Sequence, residues 1–131
     1  MERGEYAEVR RLEAFTAKML YAVDARSTDA SAPTLADVDL LAAAATAAVD
    51  AGRGHVLETG HVVFPNGGIT LVLILAESHL SIHTWPEEDL VAIDLFSCGS
   101  IDGQRVLDEL VVALTLADVA VRTVPRGLPA G

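Results

Sequence analysis

Apolar residues recur along the chain at two spacings, one typical of strands and the other of helices. Alternating or continuous apolar runs predict strands at residues 15–23, 55–64, 69–75, 80–84, 90–98 and 119–124. Helical spacing predicts one helix between a capping Thr34 and a terminating Gly52, with Asp37 in its first turn. The same spacing predicts a second helix over residues 104–116.

The order of these elements, β-α-β-β-β-β-α-β, favours one antiparallel architecture. Neighbouring strands are joined by tight turns at Pro65–Gly68 and Trp85–Asp89, which is typical of antiparallel pairing. Two helices are enough to cover one face of such a sheet. We therefore expect a single domain, residues 1–131, with an α+β two-layer sandwich fold and a mostly antiparallel sheet. The other face is then solvated or buried against a partner.

Composition narrows the class of protein further. Apolar residues make up 51% of the chain in short runs, which indicates a folded protein. The formal net charge of −10 disfavours a nucleic-acid partner. No apolar run is long enough to span a membrane, and the charged start contains no signal-peptide core, so we expect a cytoplasmic protein. Cys98 is the one cysteine, either a small buried apolar residue or a reactive group.

The segment after the apolar strand at residues 69–75 carries the candidate chemistry. If residues 80–84 form a strand, His79, Ser81 and His83 lie on one face of it. Three polar groups at the end of an apolar strand are typical of a functional site. An edge strand with a solvated polar face explains the same spacing equally well.

A zinc site is one alternative for this segment. His79 and His83 would share a face of a helix, as the two histidines of zinc proteases do. However, Pro86 follows closely and disfavours a helix there. On a strand, four residues span about 13 Å, too far for one ion. We therefore expect no metal site.

A serine hydrolase is the second alternative. Ser78 or Ser81 could combine with His83 and Asp94 in a catalytic triad. The chain has no Gly-x-Ser-x-Gly nucleophile elbow, and a loose triple of this kind occurs in many chains of this length. The triad is therefore a weak hypothesis.

Two sequence blocks resemble a known family. Residues 77–87, ESHLSIHTWPE, resemble the processing-site signature of prokaryotic S-adenosylmethionine decarboxylases. Residues 92–99, AIDLFSCG, resemble the second signature of that family, which contains its reactive cysteine. The resemblance extends from about His55 to Val124 and is weak before that.

The resemblance implies a self-processing enzyme. In this family the serine hydroxyl, here that of Ser78, attacks the preceding carbonyl, here that of Glu77. The chain would separate into a β chain of residues 1–77 and an α chain of residues 78–131, and Ser78 would become a covalent pyruvoyl group. This group acts as the electron sink for decarboxylation, so no separate cofactor is expected. The implied product is the aminopropyl donor for spermidine synthesis.

The resemblance also implies roles for further residues. His83 matches the residue that abstracts a proton during processing, and Thr70 matches a hydroxyl residue that assists cleavage. Cys98 matches the proton donor of the decarboxylation step. Phe64 matches an aromatic residue that stacks on the substrate adenine, and Glu87 matches an acidic residue near the ribose. Members of the family form dimers whose sites use residues of both subunits, so a homodimer is expected.

Strand pairing gives an independent reason to place Cys98 at the cut. If the strands on either side of the turn at residues 85–89 form a hairpin, residues near Leu90 and Val91 face His83. Cys98 then lies opposite residues 76–78.

The first strand departs from the family pattern. Lys18 stands near the position of an expected histidine, a nearby glycine is missing, and Leu71 replaces a common glycine. These departures concern the substrate more than the processing chemistry. Two alternatives therefore stay open: a pyruvoyl-dependent decarboxylase of another substrate, such as ornithine or arginine, and an uncleaved, non-catalytic relative.

Overall fold

The computed structural model describes residues 18–128, which form six strands and three α-helices. The strands are β1 (Lys18–Arg26), β2 (Val56–Val63), β3 (Ile69–Leu75), β4 (Ser78–Trp85), β5 (Leu90–Cys98) and β6 (Ala117–Arg126). The helices are α1 (Ala32–Leu35), α2 (Val38–Ala51) and α3 (Gly103–Ala113), and a 3₁₀ turn covers Pro86–Glu88.

All six strands join one sheet in the order β2-β3-β4-β5-β1-β6. Every neighbouring pair is antiparallel, and β2 to β5 follow one another as hairpins. The sheet and its two long helices confirm the predicted α+β sandwich. The middle of the sheet is formed by β4 and β5, the strands that carry the resemblance to the decarboxylase family.

The core lies between one face of the sheet and the long helices. Leu80 of β4 pairs with Leu73 on one side and Leu95 on the other, and all three side chains are fully buried. Leu41 of α2 and Leu107 of α3 belong to the same core. Burying a leucine stabilises the fold by about 1.5–3 kcal/mol relative to exposure, so this layer fixes which face of β4 points inward.

The opposite face of the sheet carries polar and exposed apolar side chains. His79, Ser81 and His83 occupy alternate positions that point away from Leu80, as predicted. Exposed apolar residues share this face in two rows of the sheet: Ile74 and Val124 lie in the row of His79, and Val62 lies in the row of His83. We call it the uncovered face.

Several predicted element boundaries were wrong. Thr34 does not cap the long helix, because it lies inside the short α1, which has Pro33 in its first turn and ends at Leu35. Asp37 is the N-cap instead: its backbone is extended, and its carboxylate accepts from the amides of Asp39 and Leu40. The first strand continues to Arg26, and residues 15–17 of its predicted range lie outside the described residues.

Strand β4 is longer than predicted, by two residues at its start and one at its end, and β2 is shorter by one residue at each end. Helix α3 ends at Ala113, three residues earlier than predicted, and β6 is longer than predicted at both ends. The longest helix of residues 18–128 is α2, with 14 residues, whereas about 20 are needed to cross a bilayer.

Candidate functional site

The junction between β3 and β4 is strained at one residue. Strand β3 ends at Leu75 and β4 begins at Ser78, so only two residues connect the strands. Ser78 has a φ of 146°, a conformation that residues with a side chain rarely adopt. Such conformations cost about 1–3 kcal/mol and persist only where neighbouring contacts hold them.

Cys98 holds the peptide that precedes Ser78. It is the last residue of β5, is 3% exposed, and donates its S–H to the Glu77 carbonyl oxygen at 3.2 Å. This position confirms that Cys98 lies opposite residues 76–78. We call Glu77, Ser78 and Cys98 the junction cluster.

The predicted hairpin register was wrong by one residue. Ala92, rather than Leu90 or Val91, is the partner of His83. The reason is the turn: four residues, 86–89, connect the strands, so Trp85 pairs directly with Leu90.

The Glu77 side chain is also held, by His55, a residue that no sequence pattern singled out. Its carboxylate is fully buried and accepts from the backbone N–H of His55 at 2.9 Å. The second carboxylate oxygen lies 2.7 Å from Nδ1 of the His55 ring. These residues are 22 positions apart, and no local motif connects them.

Thr70 and His83 form a second group, toward the other end of β4. They are register partners, and Oγ1 of Thr70 lies 3.1 Å from Nδ1 of His83. The His83 ring also lies beside the Trp85 ring, with 6.0 Å between centroids. Trp85, predicted only as a turn residue, is the last residue of β4 and belongs to the same signature as His83.

Phe64 and Glu87 line the same concavity as Thr70 and His83. We call this concavity, of about 490 Å³, the His83 cleft; it is of a size that small-molecule sites commonly have. Asn66 also lines it and donates from Nδ2 to the Glu87 carboxylate at 2.9 Å. Asn66 was predicted as a turn residue, and its contact with Glu87 was missed.

The structure does not bring the two groups together within one chain. Ser78 and His83 are five residues apart on the extended β4, which corresponds to about 17 Å. Ser78 pairs with Leu75 on β3, whereas His83 pairs with Thr70 at the far end of that strand. The predicted site residues therefore form two clusters at opposite ends of one strand pair.

Neither alternative chemistry is supported by the geometry. His79 and His83 lie on a strand rather than a helix, and within residues 18–128 no three His, Cys, Asp or Glu side chains are grouped to hold a metal ion. A hydrolase triad would need a hydrogen bond between His83 and Asp94. Asp94 lies opposite Ser81, and the hydrogen bond of the His83 ring is with Thr70 instead.

Comparisons with known proteins agree with the sequence blocks. Residues 21–127 match the family described as S-adenosylmethionine decarboxylase. The "S-adenosylmethionine decarboxylase proenzyme" of Pyrobaculum arsenaticum is 37% identical over 98 residues, 73% of each chain. That of Picrophilus torridus is 33% identical over 112 residues, 82% of this chain and 78% of the relative. The crystal structure of the adenosylmethionine decarboxylase from Aquifex aeolicus has a TM-score of 0.76 at 27% identity, covering 88% of this chain and 94% of that one.

Proposed function

Because the chain belongs to the S-adenosylmethionine decarboxylase family, we propose that it cuts itself between Glu77 and Ser78 and then decarboxylates S-adenosylmethionine. The observation that carries this proposal is the hydrogen bond from the Cys98 thiol to the Glu77 carbonyl. It polarises the one carbonyl that the hydroxyl of Ser78 must attack. The word proenzyme in the names of the relatives supports a chain that is processed.

Self-cleavage requires three balanced steps. Ser78 Oγ attacks the Glu77 carbonyl carbon, the C–N bond breaks, and the peptide becomes an ester with a free amine at Ser78. Removal of the Cα proton of residue 78 then expels the Glu77 carboxylate and leaves a dehydroalanine. After tautomerisation to an imine, one water molecule enters and one ammonia leaves, which produces the pyruvoyl end. No oxidant or reductant is consumed.

The junction cluster favours the first step in two ways. Negative charge develops on the Glu77 carbonyl oxygen, and a donor already placed there stabilises it. The strain at Ser78 is present before cleavage and is relieved once the backbone is cut. Both effects lower the barrier at this peptide bond.

The second step needs a base, for which His83 is the candidate. Its ring is oriented by Thr70; in the tautomer in which Nδ1–H donates to the Thr70 hydroxyl, the lone pair of Nε2 is available to take up a proton. Since His83 lies about 17 Å from Ser78 along its own strand, the base must come from another chain. We therefore place His83 and Thr70 of one subunit at the junction cluster of its partner.

A homodimer built on the uncovered face satisfies this requirement. Stacked sheets lie about 10 Å apart, a gap that facing side chains fill. If two copies stack with their β4 strands in opposite directions, a two-fold axis places the His83 end of each over the Ser78 end of the other. The exposed Val62, Ile74 and Val124 become buried in the same contact.

The pyruvoyl group, once formed, supplies a carbonyl that withdraws electrons from the substrate during loss of carbon dioxide. The residues around Ser78 fit such a group, because Cys98 keeps a thiol proton in a buried position beside it. Cys98 is therefore placed to protonate the substrate carbon. Phe64, which lines the His83 cleft and is 47% exposed, offers its ring for stacking on the adenine, and Glu87 offers an acceptor for the ribose hydroxyls.

Denaturing mass spectrometry of the purified protein tests the processing. We expect two fragments, residues 1–77 and 78–131, the second lighter by one ammonia than a fragment that begins with serine. A single intact chain in folded protein would contradict the proposal.

Release of carbon dioxide from carboxyl-labelled substrates tests the specificity. We expect release from S-adenosylmethionine and none from ornithine, arginine or lysine. Lys18, the departure from the family pattern, is the register partner of Cys98, so it lies close to the reacting centre. Release from another amino acid alone would contradict the proposed substrate and leave the processing intact.

A further inference from the structure

The Glu77 side chain has no part in the cleavage chemistry, yet it is fully buried. A buried carboxylate is unfavourable unless hydrogen bonds or an opposite charge compensate for its lost hydration. Here the compensation comes from His55, which immediately precedes β2.

Residue 55 contacts the cleavage segment through three different groups. Its backbone N–H and its ring Nδ1 each reach one oxygen of the Glu77 carboxylate, at 2.9 and 2.7 Å. Its carbonyl accepts from the backbone N–H of Ala76 at 2.9 Å. His55 therefore fixes both the backbone of Ala76, the residue before the scissile carbonyl, and the side chain of Glu77, the residue that carries this carbonyl.

The fit around this contact is close. A Cβ at Gly54 would lie 3.4 Å from the Glu77 carboxylate and 2.7 Å from the side chains of Val49 and Ile101. Gly54 and His55 therefore pack directly against the Glu77 carboxylate, with little free space between them. The His55 side chain is 42% exposed and that of Glu77 is fully buried, so the histidine lies between the carboxylate and the solvent.

We propose that His55 is a positioning residue for self-cleavage, acting through the Glu77 carboxylate. By fixing that carboxylate, it holds the Glu77 carbonyl against the Cys98 thiol and keeps Ser78 in its strained conformation. This inference rests on the proposed self-cleavage. It adds a residue outside both sequence blocks and outside the His83 cleft.

The test measures the cleavage rate of newly made chains after a pulse of cell-free synthesis. The variants are His55→Ala, His55→Asn and His55→Gln. The Asn amide nitrogen can occupy the position of Nδ1, whereas the Gln amide reaches toward that of Nε2. The matched control is His61→Ala, which removes an exposed histidine of β2.

We expect His55→Ala and His55→Gln to cleave about tenfold to a hundredfold more slowly, the effect of losing a hydrogen bond to a buried charged group. His55→Asn is expected to stay within about threefold of the wild type, since it keeps the donor. The His61→Ala control is expected to cleave at the wild-type rate. If His55→Ala does not fold, the comparison of the Asn and Gln variants decides alone.

A double variant separates positioning from a general loss of structure. If His55 acts through Glu77, then His55→Ala combined with Glu77→Ala is no slower than Glu77→Ala alone. Additive slowing, equal rates for the Asn and Gln variants, or a wild-type rate for His55→Ala would each overturn the inference while the proposed function stands. An intact wild-type chain would overturn both.

Discussion

The junction cluster and the His83 cleft lie on the same strand, β4, but they differ in nearly every physical property. Glu77 and Cys98 are buried, and the backbone at Ser78 is strained. The His83 cleft is open, and the Phe64 ring at its edge is 47% exposed. In the proposed function, the buried region holds the scissile peptide bond and the open region receives a group from outside.

The separation between these regions cannot be closed by side-chain motion. Both are attached to β3, β4 and β5, three hydrogen-bonded strands in the middle of the sheet. The distance of about 17 Å along β4 is therefore fixed by the backbone. If both regions serve one reaction, they meet only across a subunit interface.

The largest effect is expected at the nucleophile. Ser78→Ala removes the attacking hydroxyl, so all chains should stay intact and no carbon dioxide should be released from S-adenosylmethionine. The matched control is Ser81→Ala, a serine three residues along the same strand and on the uncovered face. Fragments from the Ser78→Ala chain, seen by mass spectrometry, would show that the cut does not depend on this residue.

Co-expression of two inactive variants tests directly whether each site combines Ser78 of one subunit with His83 of its partner. In a mixed dimer of Ser78→Ala and His83→Ala chains, one site combines Ser78 of the His83→Ala chain with His83 of the Ser78→Ala chain. The other site has alanine at both positions. We expect each variant alone to stay intact, and co-expression to yield fragments only from the His83→Ala chain. Mass tags on the two chains make this assignment unambiguous. Absence of cleavage in verified mixed dimers would mean that His83 does not act on the partner.

Cys98 is expected to have a smaller but still large effect on cleavage. Cys98→Ala should slow it by about 10²-fold to 10³-fold, the effect of removing one donor to a developing oxyanion. Cys98→Ser keeps a donor and should recover part of the rate. Ser97→Ala, a change at the neighbouring and similarly buried position, serves as the control. A wild-type cleavage rate in Cys98→Ala would show that the thiol has no role in the first step of self-cleavage. Only its proposed role in decarboxylation would then be left.

The difference between the two regions also shows what the sequence could reveal. The bounds of β3 and β5 match the prediction, because continuous or alternating apolar runs specify central strands strongly. The family predicted from two short blocks is confirmed. The distance between Ser78 and His83 could also be predicted from the sequence, since five residues of strand have a known length.

Other features depend on contacts between distant parts of the chain. The contact of His55 with Glu77 spans 22 residues and follows from how β2 enters the sheet, which no local pattern encodes. The helix start at Asp37 was missed because Thr34 is also a favourable capping residue, and the extra turn of α1 decides between them. The roles of Thr70, Phe64 and Glu87 stay predictions that rest on the resemblance and on their shared cleft.

The smallest effect is expected at Glu87, where the proposed role is substrate binding rather than bond breaking. Glu87→Gln keeps an acceptor but removes the charge, so KM for S-adenosylmethionine should rise by about threefold to tenfold, as for an exposed hydrogen bond to a charged group. Self-cleavage and kcat should not change, because no step of either requires this carboxylate. Glu88→Gln is a matched control: it lies in the same turn but does not line the cleft. If Glu87→Gln slowed cleavage as Cys98→Ala does, Glu87 would take part in processing and not only in substrate binding. An unchanged KM in both variants would instead move the substrate away from this cleft and leave the junction cluster as the only region that contacts it.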